Sequence, residues 1–262
     1  MRISPRCASW SNRSHKPRPA GRTMQRCGIE EVTASLTTEK VNLVFLLQDG
    51  PAEETEAIAQ LAEGCGVEVK WVNASHMRRM ARQGVPSCLA LVGRELGGDL
   101  AEVMGRPGPI VLLSGVSYAL NIGYTIRTSE VSGATAVVID TPLNSDGRKT
   151  AVRASMRSDR VMPVFWESSL DAVAAAKSAG RRVIAVEDCG DVEPWDVDLS
   201  DEGGAPLLIV GAEGAGIPQE VLDLCDEIVI IPMAGFYPCY NLQAPMAVML
   251  VECLRQRIQR SK

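Results

Sequence analysis

Three short stretches hold the residues best suited to chemistry. Asn121-Ile122-Gly123 runs on to Arg127, Gly211-Ala212-Glu213-Gly214-Ala215-Gly216 sets three glycines around one carboxylate, and Ile231-Pro232-Met233 leads to Cys239-Tyr240-Asn241. All three fall outside the carboxyl ends of expected strands, where open α/β sheets bind their ligands. Gly123 permits close backbone approach, and Arg127 follows it by about one helical turn. The glycines of 211–216 offer a wall against which a flat ligand can press. Taken singly, Gly123 and Gly216 are equally readable as turn glycines, Asn121 as a helix cap and Arg127 as a surface arginine. Their order and separation carry the weight.

Other chemistries lack their residues. The glycine run is G-x-x-G-x-G, not the G-x-G-x-x-G of a dinucleotide fold, and no Walker loop, H-E-x-x-H or G-x-S-x-G is present. The only histidines, His15 and His76, precede the larger C-terminal region, which argues against Ser/His/Asp catalysis there. Eight cysteines (Cys7, Cys27, Cys65, Cys88, Cys189, Cys225, Cys239, Cys253) contain no C-x-x-C pair, so no metal site is expected. Most sit in apolar runs and read as small buried hydrophobes, free thiols of a reducing cytoplasm.

The elements that must position these residues alternate. Ile29, Val32 and Leu36 mark a short helix, Val41–Leu47 a strand, Glu53–Cys65 an amphipathic helix and Val67–Val72 a half-buried strand. A helix with His76, Arg78, Arg79 and Arg82 leads to a strand at Ser87–Val92. Gly97-Gly98 to Pro107-Gly108-Pro109 has linker chemistry. Beyond it, strands are expected at Ile110–Leu113, Ala136–Asp140, Val161–Phe165, Arg182–Val186, Ala205–Val210 and Ile228–Ile231. Helices are expected at Ile122–Ser132, Leu170–Ala179, Pro218–Leu224 and Ala244–Arg257. Alternation throughout predicts an α/β fold with a parallel sheet covered on both faces. The domains predicted are a basic tail at 1–26, a small α/β unit at 27–96, a linker at 97–108 and a larger domain at 109–262.

The 262 residues carry 27 Lys or Arg against 32 Asp or Glu, a net charge of −5 that by itself argues against a nucleic-acid partner. The average conceals segregation. Residues 1–26 hold seven basic side chains and no acid, leaving a net of −12 for the rest. That tail reads as an organelle transit peptide, a basic RNA-contacting arm, or translated upstream sequence with the functional start at Met24. Otherwise a cytoplasmic protein is expected. Two basic clusters persist in the acidic body, one of Arg78, Arg79 and Arg82, the other of Arg148, Lys149, Arg153, Arg157 and Arg160. Each suits phosphate contact, whereas Glu187–Glu202, with eight acids and no base, is expected to face away from any phosphate-bearing partner. No run of ~18 or more apolar residues occurs, so no membrane-spanning helix is expected.

N-I-G-x-x-x-R at 121–127, G-A-E-G-x-G at 211–216, C-D-E-I-V-I-I-P-M-A-G at 225–235 and Asn241 together resemble the SpoU (TrmH-like) family of SPOUT RNA methyltransferases, over about residues 107–260. Residues 27–95, with Arg82-Gln83-Gly84-Val85-Pro86 near their end, look like the small α/β/α substrate-binding domain of the family's ribosomal RNA enzymes, which its tRNA enzymes lack. The resemblance implies a C-terminal trefoil knot, an exception to the rule against knots, and a homodimer formed through that domain. It also implies S-adenosyl-L-methionine bent in the knot, held by backbone at Gly211, Ile231 and Tyr240 with Met233 nearby. Asn121, Arg127, Glu213 and Asn241 would be the polar active-site positions, and the reaction an in-line attack of a ribose 2′-hydroxyl on the sulfonium methyl. Arg127 is expected to clamp phosphate rather than act as base, because guanidinium rarely yields its proton.

One motif departs from the family. Its usual S-L-N-V-S is here Cys239-Tyr240-Asn241-Leu242-Gln243, with Pro245 following at the start of the last helix. Cys239 reads as a packed thiol more readily than as a nucleophile, and Tyr240 as a residue that tightens or narrows the cofactor pocket. A catalytically weak or inactive RNA-binding relative therefore stays open beside an active ribosomal RNA enzyme, as does a tRNA ribose methyltransferase. The last helix, with Met246, Val248, Met249, Val251 and Leu254, suits a dimer surface or a core equally.

Overall fold

The computed structural model describes residues 24–237 and 239–260. The basic stretch 1–23, with Cys7 and His15, lies outside them. The chain divides into two units between Gly93 and Arg94.

The first unit runs β1 (Gln25–Cys27), α1 (Ile29–Thr38), β2 (Val41–Leu47), α2 (Ala52–Gly64), β3 (Val69–Val72), α3 (Ala74–Met80) and β4 (Cys88–Val92). Its strand order is β1-β4-β2-β3, with β2 parallel to β3 but antiparallel to β4, and β1 antiparallel to β4. This sheet is mixed, not parallel as the alternation predicted. The short α3, seven residues long, does not return the chain to the far end of the sheet, so β4 starts where β3 ended. Along β2, Val44 and Leu46 pack with Val32, Leu36 and Ile58 of α1 and α2. Phe45 points to the other face, its ring 6.4 Å from that of His76 on α3. Gln25 and Arg26, assigned to the tail by sequence, belong to β1 and pair with β4.

The second unit contains α4 (Leu100–Met104), β5 (Ile110–Ser114), α5 (Ala119–Val131), β6 (Ala136–Ile139), α6 (Ser145–Ala154), β7 (Val164–Phe165), α7 (Ser169–Ser178), β8 (Arg182–Val186), β9 (Pro206–Gly211), α8 (Gln219–Leu222), β10 (Glu227–Val229) and α9 (Gln243–Arg260). Six strands lie in the order β10-β8-β9-β5-β6-β7, every pairing parallel. Alternate residues of β5 face opposite cores. Val111 and Leu113 meet Ile122 and Ile126 of α5 and Met246 and Met249 of α9. Ile110 and Leu112 meet Val103 and Met104 of α4, Val173 of α7 and Val221 of α8. Burial on both faces explains why these strands read as unbroken apolar runs.

The expected linker is part of this unit. Within 97–108, Asp99 caps α4 by accepting from the Glu102 backbone N–H at 2.9 Å, and Val103 and Met104 are buried. Buried Arg181 then donates to the carbonyls of Met104 at 2.6 Å, Gly108 at 2.9 Å and Arg106. Burial pulls its pKa down to about 10. Arg94 is anchored as well, donating to the Val161 carbonyl at 2.9 Å.

Beyond β8 the loop 187–192 crosses the end of β10. Any side chain at Gly190 would collide with the backbone of Ile228–Ile230. Val192 pairs with Val229 in parallel, and its carbonyl accepts from the Ile230 N–H at 2.9 Å. Strand order turns back at β5 and β9, so that β6 and β7 extend to one side and β8 and β10 to the other.

Candidate active site

The strand ends at this reversal build a cleft of about 520 Å³, of a size that suits a small-molecule ligand. Its lining includes Gly211, Ile231, Met233 and Tyr240, the residues assigned to the cofactor from sequence, together with Glu187, Cys189, Cys239 and Leu242. The loop after β9 closes on itself, the Ala212 N–H reaching the Gly216 carbonyl at 3.2 Å and the Gly216 N–H returning to the Ala212 carbonyl at 2.9 Å. A Cβ on Gly211 would strike the backbone of Gly216 and Ile217. Gly216, at φ +68°, leaves room for Glu187, whose Oε1 accepts from the Ile217 N–H at 2.6 Å. These glycines are the wall that the sequence suggested.

Glu213 stands in this loop and collects the polar side chains. Its Oε1 accepts from Asn121 Nδ2 at 2.5 Å and from Asn241 Nδ2 at 3.4 Å. Asn121, in the first turn of α5, is only 4% exposed, and its Oδ1 accepts from Gln243 Nε2 at 3.3 Å. Three of the four expected catalytic residues therefore form one network. Gln243 joins it from the position where the family's motif has its second serine.

Arg127 does not join. It lies six residues beyond Asn121, ~9 Å along the helix axis and on another face. Its Nη1 donates to Glu130 Oε2 at 2.8 Å and to Ser158 Oγ at 3.4 Å. Glu130 is shared, since buried Arg94 approaches its Oε1 at 3.7 Å. Desolvation lowers the Arg94 pKa, opposed by that carboxylate.

Of the residues assigned to RNA, Arg78 and Arg79 are exposed on the last turn of α3, and exposed Arg82 donates to the Gln25 carbonyl at 3.1 Å. Arg148, Lys149, Arg153 and Arg157 are exposed on α6 and the turn after it. This helix was missed by sequence, which saw only a polar stretch. Gly123 makes its position possible, for a Cβ there would overlap the Ala151 carbonyl and the Ala154 side chain.

The variant motif is partly corrected. Cys239 is exposed beside the cleft rather than packed, its Sγ 3.7 Å from the Tyr240 carbonyl. Tyr240 reaches across to the Pro232 carbonyl at 3.4 Å, tying the two ends of the 232–240 loop. Of the seven described cysteines, all free, only Cys88 and Cys253 are buried. Glu187, Asp188 and Cys189, the start of the acidic run read as turned away, line the cleft. Their value was hidden in the sequence by their charge.

The donor set fits S-adenosyl-L-methionine. Val186, Val210, Ile217 and Leu242 are buried around an apolar floor. The 211–217 backbone supplies N–H and C=O groups for a flat ring, and Glu187 and Asp188 supply carboxylates for a cationic ligand.

Comparison with known proteins agrees. The model of the SpoU rRNA methylase family matches residues 108–251. A 23S rRNA (guanosine-2′-O-)-methyltransferase RlmB of Burkholderia sp. is 32% identical, the match covering 89% of this chain and 96% of that protein. The RlmB of Haemophilus influenzae is 25% identical, with coverage of 88% and 97%. In fold, the AdoMet-bound rRNA methyltransferase from Sinorhizobium meliloti superposes with a TM-score of 0.56 at 23% identity, covering 89% of this chain and 87% of that one. With its motifs gathered at the carboxyl ends of a six-stranded parallel sheet, this chain belongs to the SpoU family of RNA methyltransferases.

Proposed function

We propose that the protein transfers a methyl group from S-adenosyl-L-methionine to a ribose 2′-hydroxyl of ribosomal RNA, on a guanosine of the large-subunit RNA as in the relatives named for that reaction. The observation that carries this reading is the Asn121–Glu213–Asn241 network set in the loop that walls the cleft. When bound, the cofactor supplies an electrophilic methyl on a sulfonium. Gly211, Ile231 and Tyr240 would hold it through backbone, as the family implies, with Met233 alongside. Glu213 Oε1 is committed to two amides, which leaves Oε2 as the oxygen that accepts a hydroxyl hydrogen. The amides fix the carboxylate so that it does not reorient as charge develops. Arg127 acts on an adjacent phosphate, a role that suits its partly exposed guanidinium better than proton abstraction.

A homodimer fits the exposed Val248, Val251 and Leu254, which share one side of α9 while Met246, Met249 and Leu250 fill the core. The small unit, with Arg78 and Arg79 exposed on α3, would bind RNA as the resemblance implies. A weak, non-catalytic relative is the second reading, suggested by Cys239–Gln243. Against it, Asn241 still reaches Glu213 and Gln243 adds a bond to Asn121.

The test is transfer of labelled methyl to total RNA, with mapping of the modified nucleotide. Label in a ribosomal RNA ribose is the expected result. No transfer to any RNA, with no cofactor binding at millimolar concentration by calorimetry, would leave the non-catalytic reading.

A further inference from the structure

A second hollow, of about 480 Å³, lies at the carboxyl end of edge strand β7. Trp166 follows that strand directly and is half-buried, packed against the core beneath. The guanidinium of Arg148 lies over its indole, 4.8 Å from the ring centroid, while Arg148 Nε donates to the Leu143 carbonyl at 3.3 Å. A planar cation is thus held over an aromatic ring with its outer side toward solvent. Lys149, Arg153 and Arg157 line the same hollow. Lys149 is paired with Asp146 at 3.0 Å; among the described residues no carboxylate pairs with Arg148, Arg153 or Arg157.

Backbone strain is spent at this place. Met156 and Arg157 are the two described non-glycine residues at positive φ, 55° and 66°, a conformation that costs ~1–2 kcal/mol each. The turn brings Arg157 to the hollow, and strain of this kind collects at functional sites. Three strand spacings, ~14 Å, separate β7 from β9, whose loop walls the cleft. Both openings lie on one edge of the sheet, so a single RNA strand can occupy them together.

We propose that this hollow is a subsite for single-stranded RNA, in which one unpaired base stacks on the Arg148 guanidinium backed by Trp166 while Lys149, Arg153 and Arg157 hold flanking phosphates. Its role in presenting a nucleotide to the cleft rests on the methyltransferase reading; its binding chemistry does not. Exposed bases stack on aromatic and guanidinium planes in this way, and phosphates supply the salt-dependent remainder.

The test compares binding of the full-length protein to a short mixed-sequence single-stranded RNA and to an abasic oligomer of equal length. The wild type should prefer the base-bearing strand by ~5- to 100-fold. Arg148→Lys keeps the charge but loses the plane, so it should lose the preference while keeping the slope of affinity against salt. Lys149→Ala and Arg153→Ala should do the reverse, each flattening the slope by ~0.7. Equal affinity of the wild type for both oligomers, or an undiminished preference in Arg148→Lys, overturns the proposal. Methyl transfer by the wild type without base preference sinks the subsite alone. Base preference without transfer to any RNA sinks the methyltransferase reading alone.

Discussion

Glu213 is the side chain on which the cleft's polar chemistry converges, and Arg127 is the one that stands apart. Arg127 is engaged by Glu130 and Ser158, so its contribution to turnover must come through a substrate phosphate or a group not within its own network. Arg127→Ala should lower kcat by about a hundredfold or more while calorimetry finds cofactor affinity unchanged, as expected for a group that positions the reacting ribose through its phosphate. Arg127→Lys should do nearly as badly, for lysine lacks the planar fork. Normal turnover in the alanine variant would remove Arg127 from the mechanism. Cysteines give a second residue-level check. Cys189 and Cys239 line the cleft whereas exposed Cys65 lies in the first unit. A saturating cofactor analogue should slow alkylation of Cys189 and Cys239, read by peptide mass, and leave Cys65 unaffected.

At the scale of elements, α5 and α6 act as a pair because Gly123 lets them touch. Gly123→Ala should destabilise the fold by ~1–3 kcal/mol, the usual cost of overpacking, as read from the denaturation midpoint. It should also weaken RNA binding, since the displaced helix carries Arg148, Lys149 and Arg153. Unchanged stability would show that α6 can slide at no cost. The sequence made the strands of the second unit legible because each is apolar on both faces, and α9 because Met246, Met249, Leu250 and Cys253 recur at helical spacing. It hid α6, in which Ala151 alone is buried, so there was no apolar stripe to follow. The usable signal there was its cap, Asn144 accepting from the Gly147 N–H at 2.9 Å. The same holds for α4, capped by Asp99 between glycine-rich flanks that imitate a linker. The cleft's Asn121, Glu213 and Asn241 were readable through their motifs. Glu187 and Trp166 were not, because only the folded sheet brings them to their sites.

For the molecule as a whole, buried thiols tie stability to pH. Burial raises Cys253 from an ordinary value of about 9 to about 12, the largest cause being desolvation. Unfolded chains surrender that proton first, so above about pH 9 the unfolded state binds fewer protons than the folded state. Stability therefore falls as pH rises from there toward about pH 12, by up to ~1.4 kcal/mol per pH unit for this thiol. Denaturation of Cys253→Ala should show a correspondingly shallower decline than the wild type between pH 9 and 10.5; an identical decline would mean that Cys253 ionises freely in the fold.

The crossing of 187–192 over β10 has a consequence for solubility. An outermost strand normally offers a row of unsatisfied donors and acceptors on which another chain can nucleate aggregation. Here Val192 takes the outward-facing N–H of Ile230, so the protein's own loop occupies the first rung that a stray strand would need. At the opposite margin β7 is only two residues long, preceded by Pro163. A six-stranded parallel sheet with both margins guarded in this way can stay exposed to crowded RNA-rich surroundings without serving as a template for fibrils.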